Sequence, residues 1–303
     1  MYRKAYGIIE TLAPLHVGAT AGEETGNLNL IFRDQFTQTG IIPGSSIRGR
    51  FRADMRSRRL NPERDPETRN IIELPKGVDE NLWYGHEAEK GKENSTTEAL
   101  VKFEYASLLW LPVFCPNQLI VWVSCPRLLK RYEKLSGKTK KSKFKPYTYL
   151  GKKESSTLFF NLGFLRLEEE DKELKDFIPP NLSDLQSGEN LVFLVDDTEM
   201  SMIHDMALYR QSRVALGSEE NPTEKIAKKK AFFNMEALPE GTVLTFPLAF
   251  KETKEEGKSW EDYLTGSALA ISQRKEFYFG GLESIGFGRT EVTLDNYQKQ
   301  EKS

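Results

Sequence analysis

The segment that most limits the possible folds lies near the middle of the chain, at residues 107–135, and reads SLLWLPVFCPNQLIVWVSCPRLLKRYEKL. It contains two apolar runs rich in β-branched and aromatic side chains, which predict two strands. Pro116 and Asn117 between the runs predict a turn, and Pro126 is well placed to open a helix. The segment therefore predicts a strand–turn–strand–helix unit with antiparallel strands.

Both halves of the chain contain strand and helix segments of this kind. Strands are predicted for residues 4–18, 156–170, 190–197, 231–238 and 242–250, and helices for residues 198–216 and 259–276. The segments do not follow the regular βαβ alternation of a parallel sheet, so the predicted class is α+β.

Composition narrows the class of protein further. The 303 residues can form one large domain, and the net charge of −2 excludes a general polycation. The sequence has no apolar run of about 20 residues and no signal-peptide pattern at its start. Cys115 and Cys125 lie in apolar surroundings. These observations predict a cytoplasmic protein without a membrane partner.

Residues 41–60 change to helical spacing. Ile47, Phe51 and Met55 recur every four residues and predict the buried face of a helix. Ser45 or Ser46, directly after Pro43 and Gly44, is the predicted N-cap.

The same helix carries a second, basic stripe. Residues 48–59 contain six arginines against one aspartate. A solvated helix face normally mixes charges of both signs, and the start of this helix offers backbone N–H groups suited to an anion. The pattern favours a partner that carries phosphates over a merely solvated face. The stripe consists of Arg48, Arg52, Arg56 and Arg59.

A glycine-rich loop lies near the carboxy-terminal end, at residues 280–289, and reads GGLESIGFGR. It follows a predicted helix and enters a strand, so it is neither a dinucleotide-binding fingerprint nor a P-loop. Two interpretations stay open: a turn in which glycine permits tight backbone packing, or a close approach to a phosphodiester chain with N–H groups and Arg289 as donors.

Histidine and cysteine spacing predicts no metal centre. The three histidines, His16, His86 and His204, lie far apart, and no zinc, nucleophile-elbow or metalloprotease motif occurs. The position of His16 at a strand end favours a structural role over a catalytic one.

Two of these segments together resemble the RAMP superfamily. Residues 15–52 resemble its amino-terminal signature, in which a His-x-Gly turn leads through a loop to Arg-Asp and then to Ile-Pro-Gly-Ser-Ser before a basic helix. Residues 280–289 resemble its glycine-rich loop. Residues 107–135 and 231–250 are similar to the backbone subunits of type III CRISPR effector complexes (Cmr- and Csm-like), most closely the Cmr type.

The resemblance implies a ferredoxin-like (RRM-like) core in a single domain spanning 1–303, with insertions at 60–100 and 136–190 and a thumb hairpin at 212–236. Such subunits bind the guide CRISPR RNA and its target RNA in antiviral defence, beside other RAMP and large subunits, and guide binding requires no cofactor. The RNA-binding residues that it implies are His16, Gly44, Ser45, Ser46, Arg48, Arg50, Arg52, Lys228, Lys229, Gly280, Gly281, Gly286, Gly288 and Arg289.

Active members of the family cut target RNA with an aspartate in the loop before Arg-Asp and a divalent metal, Mg or Mn, leaving a cyclic phosphate. Asn29 stands at that position here. An amide is neither a proton acceptor nor an anionic metal ligand, so the expectation is a guide-binding subunit that does not cut.

Two enzymatic alternatives remain. The first is an active metal-dependent endoribonuclease that cuts target RNA at regular intervals, with Asp34 as the runner-up catalytic residue or a loop glutamate, Glu23 or Glu24, in its place. The second is a guide-processing endoribonuclease that uses His16. All three interpretations require that the two ends of the chain form one cationic groove for a ribose-phosphate strand.

Overall fold

The computed structural model describes residues 2–18, 28–61, 71, 80–86, 97–137, 142–161, 163–214, 232–251 and 275–295. Its helices are α1 (Gly44–Leu60), α2 (Glu80–Tyr84), α3 (Pro126–Leu135), α4 (Ser183–Gln186) and α5 (Met200–Ala207), with 3₁₀ turns at Lys172–Phe177 and Glu283–Ile285.

The strands are β1 (Tyr2–Thr11), β2 (Leu28–Asn29), β3 (Ile41–Ile42), β4 (Val101–Phe103), β5 (Ala106–Cys115), β6 (Leu119–Ser124), β7 (Thr148–Leu150), β8 (Thr157–Phe160), β9 (Gly163–Arg166), β10 (Glu169–Glu170), β11 (Leu191–Leu194), β12 (Tyr209–Val214), β13 (Phe232–Ala237), β14 (Val243–Lys251), β15 (Lys275–Tyr278) and β16 (Arg289–Asp295).

Eleven of the described strands form one mixed sheet. Its main path runs β10-β7-β11-β6-β5-β14-β1-β16-β15, with β3 added to β5 and β4 added to β14. Strand β1 pairs antiparallel with β14 on one side and with β16 on the other, so that Ile9 lies opposite both Leu244 and Val292. The first strand is therefore held between two strands from the far end of the sequence.

Apolar clusters cover both faces of this sheet. Strand geometry sends neighbouring side chains to opposite faces, and Ile8 and Ile9, both fully buried, belong to different clusters. Helix α1 covers the face of Ile9 with Ile47, Phe51 and Met55. The apolar repeat at every fourth residue thus faces the core, as its spacing predicts.

The strand–turn–strand–helix unit at residues 107–135 forms as β5, β6 and α3, with β5 and β6 antiparallel. Strand β11, which follows β7 to β10 and α4 in the chain, pairs with β6 in parallel. Leu129 and Tyr132 of α3 are buried against the sheet, next to Trp110. Cys115 and Cys125 are both buried and unbridged.

The helix predicted for residues 198–216 is wrong in its second half. Helix α5 ends at Ala207, and the chain continues as β12, which pairs antiparallel with β13. In that register Arg210 lies opposite Glu236, and the two side chains form an ion pair at 3.2 Å. A long-range pairing therefore overrides the local helical pattern.

The regions expected as insertions and thumb contain regular structure. Helix α2 lies within 60–100, and β7 to β10 with α4 lie within 136–190, where β7 and β10 extend the main sheet. Strands β12 and β13 pair antiparallel where the thumb at 212–236 is expected, and β13 also pairs with β2. Lys228 and Lys229 lie outside the described residues.

The α+β class is confirmed by this arrangement of helices on a large mixed sheet. Among the residues that the structure describes, no helix is both long and apolar enough to cross a membrane.

Candidate nucleic-acid groove

A groove of about 520 Å³ lies where three segments distant in sequence meet: the turn at residues 16–18, the first turns of α1, and the glycine-rich loop. We call it the central groove. The two ends of the chain thus share one groove, as the sequence interpretation requires, but Arg50 faces Glu283 in its lining, so its expected cationic character stays a prediction. Its lining residues are Val17, Gly18, Phe32, Ser46, Gly49, Arg50, Ala53, Tyr278, Phe279, Gly280, Gly281 and Glu283.

Backbone hydrogen bonds join the turn to the glycine-rich loop. The N–H of Gly281 donates to the carbonyl of His16 at 3.1 Å, and the N–H of Gly288 donates to the carbonyl of Pro14 at 2.9 Å. The N–H of Leu12 donates to the carbonyl of Arg289 at 2.9 Å. One wall of the groove is therefore built from both ends of the described chain.

The glycines of the loop have different physical roles. Gly280 has φ +77°, and a Cβ there would lie 2.0 Å from the carbonyl oxygen of His16; a Cβ on Gly288 would lie 2.3 Å from that of Phe279. Close backbone packing therefore requires glycine at both positions. A Cβ on Gly281, by contrast, would meet no atom within 4 Å. The tight-packing interpretation therefore holds for Gly280 and Gly288, and the approach of the loop to a phosphodiester chain stays a prediction.

His16 supports the wall of the groove from behind. Its side chain is buried, and its Nδ1–H donates to the carbonyl of Glu236 at 2.7 Å. A Cβ on Gly18 would lie 3.0 Å from His16 Nε2, which explains the small residue at that position. This geometry agrees with a structural role for His16.

The predicted serine cap does not form at the start of α1. Pro43 occupies the N-cap position, and no side chain caps the helix. The N–H groups of Ser46 and Ile47 donate to the carbonyl of Pro43, at 2.9 and 3.2 Å. Ser46 lines the central groove, and the anion site expected at this helix start stays a prediction.

All four arginines of the stripe contact α2. The Nε–H of Arg48 donates to the carbonyl of Tyr84 at 2.8 Å, and Arg52 donates to Asn81 Oδ1 at 3.1 Å. The sequence pattern gives no sign of these contacts with α2. The RNA contacts expected for Arg48 and Arg52 stay predictions.

Glu80 is the centre of this helix–helix contact. Its carboxylate is buried, accepts two hydrogen bonds of 2.9 Å from Arg59, and pairs with Arg56 at 3.1 Å. The hydrogen bonds from Arg59 outweigh burial and lower the pKa of Glu80 to about 2. Charge-assisted bonds of this kind fix geometry more firmly than neutral ones.

Arg50 is the arginine of α1 that lines the groove. Its Nη1 lies 3.8 Å from Glu283 Oε1, and both side chains are partly exposed. Arg289, expected as a phosphate donor, forms a two-point contact with Glu276, with Nε 3.0 Å from Oε2. Each of these two cations therefore faces a carboxylate of its own chain.

Asn29 and Asp34, the two candidates for the catalytic position, have different surroundings. Asn29 lies in β2 and pairs in parallel register with Met235 of β13. Asp34 Oδ1 accepts hydrogen bonds from the N–H groups of Phe36 (3.0 Å) and Thr37 (2.8 Å), and from the hydroxyl of Thr37 (3.0 Å). Oδ2 accepts from the hydroxyl of Tyr105 at 3.3 Å. Asp34 therefore closes its own turn.

Electrostatics at Asp34 follow from these bonds. Burial raises the pKa of this carboxyl, but the hydrogen bonds from Thr37 and Phe36 outweigh it, so the pKa lies below its usual value. In the described part of the chain, no group of three or more His, Cys, Asp or Glu residues is arranged to hold a metal ion.

A partly buried ionic cluster joins the Arg-Asp segment to α5 and β13. Arg33 pairs with Asp205 and, at 3.0 Å, with the buried Glu236. His204 is fully buried, and its Nε2 accepts a hydrogen bond from the N–H of Gly40 at 2.9 Å. Burial lowers the pKa of His204. Apart from the Arg-Asp pair itself, no local sequence signal indicates that Arg33 pairs with Asp205 and Glu236.

The family model of the RAMP superfamily matches residues 8–291. This chain belongs to the RAMP superfamily. The matched range contains the His16 turn, α1 and the glycine-rich loop, and so includes every segment that lines the groove. A comparison with curated proteins finds no match.

Solved structures with the same fold include RAMP proteins of known complexes. A chain of the type III-B Cmr-beta complex bound to cognate target RNA has 18% identity and a TM-score of 0.67, covering 96% of each chain. Crystalline Cmr4 has 16% identity and a TM-score of 0.63, covering 98% of this chain and 100% of that one. Oligomeric Cmr4 from Pyrococcus furiosus, also 16% identical, has a TM-score of 0.62 with the same coverage. The RAMP fold expected from the sequence is confirmed.

Proposed function

We propose that this RAMP protein is a backbone subunit of a type III CRISPR effector complex and binds the guide RNA in the central groove. The observation that carries the proposal is the meeting of the His16 turn, the start of α1 and the glycine-rich loop around one groove. Backbone N–H groups, the hydroxyl of Ser46 and Arg50 suit a ribose-phosphate strand. Base pairing with target RNA would then supply sequence specificity. The fold shared with Cmr4 supports this assignment.

We further propose that the subunit does not cut target RNA itself. The amide of Asn29 cannot replace the carboxylate of active relatives, and the carboxylate of Asp34 is engaged by Thr37, Phe36 and Tyr105. In the described part of the loop, residues 28–34, Asp34 is the acidic residue available. These residues do not fit the divalent metal of the active family members.

Gly49→Glu tests the groove with the fold intact. A Cβ at Gly49 meets no atom within 4 Å, and replacing glycine within a helix raises helix propensity by up to about 1 kcal/mol. The carboxylate enters the groove and repels phosphates, so RNA binding is expected to weaken about tenfold or more. Fluorescence anisotropy with guide RNA measures this effect, and thermal unfolding checks the fold.

Gly163→Glu is the matched control. It adds the same charge at another position where a Cβ has open space, on β9. If both variants bind guide RNA equally well, the central groove is not the RNA-binding site.

Asn29→Asp tests the catalytic assignment. The assembled complex with matched target RNA and Mg²⁺ or Mn²⁺ should leave the RNA intact opposite the natural subunit and cut it opposite the variant. Gel analysis of end-labelled RNA measures this. Cutting by the natural subunit, abolished by Asp34→Asn, would establish the endoribonuclease alternative.

A further inference from the structure

Helix α3 carries a second basic face, which the sequence interpretation did not use. Arg127, Lys130, Arg131 and Lys134 have the spacing i, i+3, i+4 and i+7, which aligns them along one side of a helix. The opposite side, with Leu128, Leu129 and Tyr132, is buried. Arg127, Lys130 and Lys134 are exposed, and neither lysine forms an ion pair with a residue that the structure describes.

Nearby acidic residues reduce the positive charge of this face but do not cancel it. Glu133, the acid on the helix itself, accepts a hydrogen bond from the N–H of Ser142 at 2.8 Å. Glu104 lies 3.8 Å from Arg131. Asp197 accepts the N–H of Arg127 at 2.8 Å and so already occupies the helix N-terminus. An anion would therefore meet the side chains of Arg127, Lys130 and Lys134.

Two aromatic rings lie against the arginines of this face. The guanidinium carbon of Arg127 is 5.4 Å from the ring centroid of Phe36, and that of Arg131 is 4.5 Å from the ring of Tyr105. Phe36 is 74% exposed. The backbone of Phe36 is held in its turn, because Asp34 accepts the N–H groups of Phe36 and Thr37. This turn therefore presents an exposed aromatic ring beside the cations of α3.

We propose that Phe36 and the basic face of α3 form a second RNA-binding surface, outside the central groove, for single-stranded RNA. One unpaired base stacks on the ring of Phe36 while Arg127, Lys130 and Lys134 contact neighbouring phosphates. Single-strand binders combine these two elements, because a base in a duplex is already stacked and its face is closed. The inference rests on the proposed RNA-binding function and gives that function a second contact point.

The test compares Phe36→Ala with Phe164→Ala in the full-length chain. Phe164 is 72% exposed and lies on β9, so it is a matched control. Because stacking of one base contributes about 1–3 kcal/mol, Phe36→Ala should weaken binding of a short unstructured single-stranded RNA about fivefold or more. Phe164→Ala and the melting temperatures should not change. Binding of duplex RNA should be equal for both variants.

Salt dependence tests the cations of the same surface. Each phosphate contact to a single strand contributes about 0.7 to the slope of log K against log salt. Lys130→Ala combined with Lys134→Ala should therefore reduce that slope by about 1.4. An unchanged slope, or equal effects of the two phenylalanine variants, overturns the inference. If polyglutamate displaces RNA equally well from the natural chain and from Phe36→Ala, the surface binds an acidic protein partner instead, and the inference is overturned.

The Gly49→Glu variant separates this inference from the proposed function. If Gly49→Glu still binds some single-stranded RNA, and combining it with Phe36→Ala abolishes that binding, the second surface is supported. If Gly49→Glu removes all binding and Phe36→Ala has no effect in the natural chain, the groove stands and the second surface is refuted. If only the α3 and Phe36 variants weaken binding, the groove assignment fails instead.

Discussion

Helices α1 and α3 both carry a row of basic side chains, and the two rows serve different contacts. On α1, Arg56 and Arg59 bind the buried carboxylate of Glu80, and Arg48 and Arg52 bind other groups of α2. On α3, Lys130 and Lys134 point to solvent without such a partner in the described residues. A row of one charge therefore does not by itself identify a nucleic-acid surface, because one buried acid elsewhere in the chain can bind it.

The largest expected effect distinguishes the two rows by stability. Glu80→Ala leaves Arg56 and Arg59 without their carboxylate and should lower the free energy of unfolding by about 1–3 kcal/mol. Lys130→Ala on α3 should stay within about 0.5 kcal/mol of the natural chain. Chemical denaturation measures both values. If Glu80→Ala leaves the free energy of unfolding unchanged, the α1 row does not stabilise the fold.

Acid titration sharpens the same comparison. The pKa of Glu80 is lowered from 4.5 to about 2 in the folded state, so its stabilisation is present above pH 4.5 and is lost as the pH falls towards 2. The stability difference between the natural chain and Glu80→Ala should be constant near neutral pH and shrink through that window. A difference that persists at pH 2 would show that the contact does not depend on the ionised carboxylate.

The smallest expected effect concerns the α1 arginine that faces the groove. Glu283→Gln removes the carboxylate 3.8 Å from Arg50 and with it the repulsion of bound phosphates. Because exposed pairs contribute about 0.2–1 kcal/mol, RNA affinity should rise about two- to fivefold at low salt. Glu154→Gln, which releases the exposed Lys152, is the matched control. Equal affinities for both variants would mean that Arg50 does not contact RNA.

Local sequence patterns predicted the elements that depend on local physics. The fourfold repeat of Ile47, Phe51 and Met55 indicated the buried face of α1, and Pro116, Asn117 and Pro126 indicated the turn and helix start of the central unit. In each of these cases the signal lies within a few neighbouring residues. The meeting of the two chain ends was expected from the resemblance of both end motifs to the RAMP superfamily and not from a local pattern.

Partners separated in sequence could not be predicted in the same way. Glu80 lies in a polar segment whose pattern gives no sign that α1 binds it. The switch from helix to strand after Ala207 depends on β13, and the engagement of Arg33 depends on Asp205 and Glu236. These contacts form only when the sheet brings the segments together, so no pattern among neighbouring residues in the sequence predicts them.

The position of β1 between β14 and β16 has a consequence for synthesis on the ribosome. A nascent chain that has emerged only as far as β14 contains the His16 turn and α1 but lacks the wall that Gly281 and Gly288 provide. Pairings between segments so far apart form late, because a long loop must close first. The central groove would then be complete only after β15 and β16 have joined the sheet.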